Sequence, residues 1–256
     1  QLTFSGSGEL DNGLNVSISF VLDQNDDTTT SAGNAKLSNA GTPFDSHSVA
    51  ISSDSLGTLT FHGEGGSSAT TAVDATAAGD IWDQFDDEGG LEPTGVGSGD
   101  NMIFYTTPSL MEGLSLSASY LPHTTGNDGA LVGYSATYTG VEGLSVTLAS
   151  GEGADPVDAT VMKASYAYGP VTVSYSDYEY DASGTSADDD VTSYKVSYTV
   201  SDELSVSYGS EEIETGTTDS EYDMVSASYT AGGMTLTASF SDATDIDGDA
   251  DGSEDR

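Results

Sequence analysis

Apolar residues recur at every second position through nearly the whole chain, a period that suits strands with two unlike faces and excludes long helices. Leu14, Val16, Ile18, Phe20 and Leu22 interleave with Asn15, Ser17 and Ser19. Leu114, Leu116, Ala118 and Tyr120 alternate with Ser115, Ser117 and Ser119, and Met234, Leu236, Ala238 and Phe240 with Thr235, Thr237 and Ser239. Fourteen such segments begin near Leu2, Leu14, His47, Thr58, Asn101, Leu114, Leu131, Leu144, Ala159, Val171, Thr192, Leu204, Tyr222 and Met234.

The connections between them alternate in length. Short ones, such as Asp11-Asn12-Gly13, Gly169-Pro170 and Ala231 to Gly233, hold the residues of tight turns. The others run roughly over 23–46, 64–100, 122–130, 151–158, 177–190, 210–221 and from 241 onward. Two-faced strands of about nine to eleven residues, with turns at one end and loops at the other, describe a transmembrane antiparallel β-barrel. The apolar runs are far too short for a transmembrane helix, which needs roughly 20 residues. The alternative is a secreted, acidic, calcium-binding all-β adhesin or surface-layer protein, whose sheets would pack apolar face to apolar face. Its solvated strand faces would carry Lys, Arg and Glu; here the polar faces are Ser, Thr and Gly.

Charge is sorted in the same way. Asp and Glu number 43 against four Lys and Arg, a net charge of −39. This opposes nucleic-acid binding and favours cations as small partners. The seven long connections hold 35 of the 43 acids, so strand interiors are nearly free of them, as a bilayer demands. Two lysines do fall within strands, Lys163 beside Ser165 and Lys195 beside Ser197, and parity places both on the polar, lumen-lining face with His62. Phe20, Phe104, Tyr105, Tyr120, Tyr166, Tyr168, Tyr178, Tyr180, Tyr208, Tyr229 and Phe240 cluster at strand ends, as interfacial girdles do. The chain has no cysteine, which removes disulfides and thiolate chemistry.

The opening hairpin from Leu2-Thr-Phe-Ser-Gly to Asn15-Val-Ser-Ile-Ser-Phe20, the segment Leu56-Gly-Thr-Leu-Thr-Phe61, and Asp100 to Ser109 followed by Gly113 to Tyr120 resemble the general bacterial porins, especially those of Alphaproteobacteria and marine relatives. The resemblance implies one barrel domain over 1–256 in the outer membrane of a Gram-negative bacterium. It further implies a homotrimer contacting membrane lipid and lipopolysaccharide, with a water-filled channel for passive diffusion of small hydrophilic solutes and ions. That family has sixteen strands and ends in an aromatic residue, so the fourteen seen here would lack its first and last. It folds a long loop into the pore; the counterpart is 64–100. By the resemblance, the acids of the stretch Ala77 to Glu88, namely Asp80, Asp83, Asp86, Asp87 and Glu88, face the constriction. The competing reading is a solvated acidic loop anchored by Trp82 and Phe85. The family's opposing arginine cluster has no counterpart, Lys163 and Lys195 being partial substitutes, so a cation-selective channel is expected.

Beginning at Asp247, Asp247, Asp249 and Asp251 with Gly252 copy the opening of a calcium loop, without its twelfth-position Glu. A flexible acidic loop is the competing explanation. No cofactor is expected beyond Ca²⁺ or Mg²⁺ at such acidic outer loops. His47, His62 and His123 are scattered and accompany no nucleophile or phosphate-binding motif, so no enzyme is expected.

Overall fold

The computed structural model describes residues 2–22, 44–85, 91–93, 98–122, 130–153, 157–182, 188–246 and 253–255. Among them, fifteen strands form one antiparallel sheet in chain order. They are β1 (Leu2–Glu9), β2 (Asn15–Leu22), β3 (Phe44–Ser53), β4 (Gly57–Glu64), β7 (Met102–Thr106), β8 (Leu114–Leu121), β9 (Leu131–Tyr138), β10 (Leu144–Glu152), β11 (Asp158–Tyr168), β12 (Val171–Asp181), β13 (Asp189–Thr199), β14 (Leu204–Thr215), β15 (Thr218–Ala231), β16 (Met234–Thr244) and the three-residue β17 (Ser253–Asp255). Two short strands between β4 and β7, β5 (Gly66–Ser67) and β6 (Ser98–Gly99), pair with each other.

The register matches like with like. Ser239, Ser226, Ser207, Ser197 and Thr172 are direct partners across five successive strands. On the opposite face, Phe240, Val225, Tyr208, Val196, Val173, Tyr166 and Leu144 form an apolar row. A slip of one residue in any pairing would exchange the two faces, so the pattern itself holds the register. Hydroxyls also bond across strands on the polar face, as between Ser207 and Ser226 at 2.7 Å.

Among the described residues nothing covers the apolar face: Leu148, Leu236 and Phe240 are 53%, 70% and 57% exposed. A soluble sandwich would bury that face against a second sheet. An uninterrupted apolar exterior of this extent belongs in lipid. At the turn end, Gly57 has φ 76° and an added Cβ would run into the Thr106 carbonyl, so only glycine closes that hairpin without strain.

Three expectations are corrected. Residues 210–221 form a hairpin, not a long loop: β14 and β15 stay paired up to Thr215 and Thr218. These strands run on past the membrane, so many of the acids assigned to loops ride on strand ends instead. On β14, β15 and β16 the outward apolar series stops at Tyr208, Val225 and Phe240; the next outward residues are the direct partners Ser210, Asp223 and Asp242. Tyr208 marks the boundary, its hydroxyl donating to Asp223 Oδ1 at 2.7 Å.

Tyr178 and Phe104 are not girdle residues either. Parity places Phe104 beside Thr60 and Ser119, and Tyr178 beside Val161 and Val191, on the inner face. Nor is that face polar throughout. Toward the loop end it carries Val161, Tyr178, Val191, Ile213 and Tyr222, all buried, and what buries them is the segment between β5 and β6.

Candidate functional site

From Ser68 onward the chain crosses the inner face from β8 to β16, and wall side chains bond to it along the way, mostly at its backbone. The Ala69 amide donates to Ser119 Oγ on β8 at 2.8 Å. Lys163 on β11 donates to Asp74 Oδ2 at 2.7 Å and to the Thr76 carbonyl at 2.8 Å. Ser193 Oγ on β13 accepts from the amides of Ala77 and Ala78 at 3.0 and 2.9 Å, while Lys195 donates to the Ala78 carbonyl at 2.9 Å. Glu211 Oε2 on β14 accepts from the amides of Ile81 and Trp82 at 2.8 and 3.2 Å, at the start of a 3-10 turn, Trp82–Gln84. Tyr222 on β15 donates to the Leu91 carbonyl at 3.0 Å, and Ser241 on β16 to Gln84 Oε1 at 2.8 Å.

Apolar packing fills in between. Ala78, Ile81 and Phe85 are buried among Val161, Tyr178, Val191, Ile213 and Tyr222, with the Phe85 and Tyr222 rings 5.8 Å apart. Each large side chain so buried stabilises docking by roughly 1.5–3 kcal/mol.

The free side of the segment is acidic. Asp80 and Asp83 are exposed and make no bond to the wall among those described above, whereas Asp74, also exposed, is paired with Lys163. Asp80 sits at φ 54°, in the left-handed region, where Thr76 Oγ1 donates to its carboxylate at 2.6 Å and accepts from its amide at 3.1 Å. Asp86, Asp87 and Glu88 lie outside the described residues, as do Asp247, Asp249 and Asp251. Among the described residues no group of three or more His, Asp or Glu converges as a metal-ligand set. His62 lies on the inner-facing row of β4, opposite Ser48 and Met102 and apart from the acidic stretch.

The sequence reading missed Asp74, Ser193 and Glu211. Glu211 was detectable: extending the inner-facing series Ser205, Ser207, Gly209 by one step reaches it, above the end of the outward apolar belt at Tyr208. Burial pushes its carboxyl up to about 7, against the lowering effect of the Trp82 and Ile81 amides.

Over residues 1–222 the sequence matches the Gram-negative porin family. The chain is a member of that family. Among solved structures similar to it are a refined porin at TM-score 0.64 and 18% identity, covering 94% of this chain and 85% of the other. An anion-selective porin from Comamonas acidovorans aligns at TM-score 0.61 and 15% identity, covering 98% of this chain and 82% of that one. A triple mutant of the Rhodopseudomonas blastica porin gives TM-score 0.61 and 15% identity, covering 95% and 84%. No curated protein matches the sequence. This porin is therefore a non-enzymatic channel protein of the Gram-negative outer membrane, and its sheet is a porin barrel wall.

Proposed function

We propose that the segment crossing the inner face narrows the pore and makes it selective for cations among small hydrophilic solutes and ions. The observation that carries this reading is the allocation of charge. Both wall lysines are engaged by the segment, Lys163 by Asp74 and Lys195 by a carbonyl, while Asp80 and Asp83 stay exposed on its free side. Carboxylates without a facing arginine cluster concentrate cations, an effect that fades as the Debye length shrinks to about 8 Å near physiological salt. Since a structural neighbour is an anion-selective porin, the fold leaves the sign of selectivity open and the local charge decides it. Reversal potentials in a KCl gradient test this: cation preference is expected, and anion preference refutes it.

The same reading extends to the assembly. Among the described residues β1 pairs on one side only, and β16 meets β17 only at Asp242–Thr244. Open edges leave backbone groups unpaired in a bilayer, so the wall is read as a closed cylinder. The assembled molecule is read as a homotrimer in contact with membrane lipid and lipopolysaccharide. Ca²⁺ or Mg²⁺ on its acidic outer connections completes the proposal; melting unchanged by added calcium argues against that last element.

A further inference from the structure

Three glycines of the wall lie under the crossing segment, and none of them is there for the backbone. Gly133 on β9, Gly151 on β10 and Gly209 on β14 all lack positive φ, although glycine within a strand weakens it. What they share is the absence of space above them. A Cβ at Gly151 would lie 2.6 Å from Thr70 Oγ1, and one at Gly133 2.8 Å from Ser119 Oγ, the wall hydroxyl that holds the Ala69 amide, 3.1 Å from Thr70 Oγ1 and 3.2 Å from the Ala69 nitrogen. A Cβ at Gly209 would lie 2.8 Å from Ala78 Cβ and 3.4 Å from Ile81 Cδ1. Gly133 and Gly151 are direct cross-strand partners and make one notch, where the segment starts across the wall. Gly209 makes a second notch between Lys195 and Met224, its partners on either side.

We infer that these glycines are a seat that sets how far the segment stands from the wall, and so determine the aperture. The inference rests on the constriction reading above. At position 209 the three nearest atoms above the missing side chain belong to Ala78 and Ile81, the two residues whose backbones Ser193, Lys195 and Glu211 hold. A larger residue at 209 therefore cannot be absorbed by a mobile side chain. It lifts the segment bodily toward the pore axis. The grip of wall side chains on main-chain atoms makes this seat independent of the acids on the free side, so height and charge of the constriction are set by different residues.

The test uses the full-length porin in planar bilayers, with β-sheet circular dichroism confirming that each variant is folded. Single-channel conductance should drop from wild type to Gly209→Ala and again to Gly209→Val. Adding Ala78→Gly to Gly209→Ala moves the deleted methyl to the other side of the contact and should recover the lost conductance. A variant with residues 72–84 replaced by a short Gly-Ser link tests the underlying reading and should conduct more than wild type. If that link variant gains conductance while Gly209→Val keeps the wild-type value or exceeds it, the seat is overturned and the constriction stands. If the link variant conducts as wild type, the constriction reading fails and the inference falls with it.

Discussion

Replacing Glu211 by alanine should loosen the crossing segment without unfolding the barrel. Glu211 is fully buried, and its Oε2 is the hydrogen-bond acceptor for two amides, those of Ile81 and Trp82. Alanine leaves both N–H groups, that of Ile81 buried and that of Trp82 partly buried, without it. An orphaned buried donor costs about 1–3 kcal/mol, so the two together weaken docking by about 2–6 kcal/mol. At 1.4 kcal/mol per decade, the middle of that range raises the undocked population by roughly two to three orders of magnitude. Ser193, Lys195, Tyr222 and Ser241 still hold the segment on either side, so the change is local opening rather than loss of fold. The assay is single-channel recording, where undocking appears as excess open-channel noise and extra conductance levels. Glu211→Gln is the control, because its amide oxygen keeps an acceptor in place, and it should stay near wild type. Wild-type noise and a single conductance level in Glu211→Ala, at several voltages, would refute the reasoning.

Three other outcomes follow from the same geometry. Burial raises the Glu211 carboxyl from 4.5 to about 7, so docking is favoured by the protonated form: its contribution is complete below about 4.5 and declines as pH rises through about 7. Channel noise should therefore increase from pH 5 to pH 8 in wild type and lose that slope in Glu211→Gln; equal slopes refute it. Asp80→Asn with Asp83→Asn should reduce cation preference, most at low salt, in the reversal-potential measurement; an unchanged potential at 0.01 M salt, where the Debye length is about 30 Å, would show that these acids do not set selectivity. On β10, Leu148→Arg puts a charge on the lipid face and should destabilise the barrel by about 2–4 kcal/mol in urea titrations from vesicles, whereas Ser145→Arg, facing inward, should be tolerated. Equal midpoints for the two variants would contradict the assignment of faces.

Much of the wall was legible because a strand has only two sides. Once Leu204, Val206 and Tyr208 are read as one face, Ser205 and Ser207 must be the other, and the same step put Lys163 and Lys195 on the inner-facing rows of β11 and β13. Errors arose where the apolar run stopped. The outward positions beyond Tyr208 turn polar because the strand has left the membrane, not because the strand has ended, so the alternation of apolar residues stops at Ser210 while β14 and β15 stay paired. Tyr178 shows the limit of residue type against parity, because an aromatic ring suits a girdle and a packed interior equally well.

The candidate site was legible only in part. An acidic stretch with one tryptophan and a phenylalanine could be seen in 77–88, but nothing local says which wall residues receive it. Asp74 and Lys163 are 89 residues apart, and Ile81 and Glu211 are 130 apart.

Sequence alone determined that this chain makes two-faced strands in one register with an apolar outside, because a period of two and the cost of charge in lipid leave few alternatives. Tertiary structure decided what the inner face holds: which serines bond to the crossing segment, and that both wall lysines bond to it as well. The physical reason is that a strand's faces are set by its neighbours in sequence, whereas a loop lying across nine strands is placed by hydrogen bonds and close contacts with residues far along the chain.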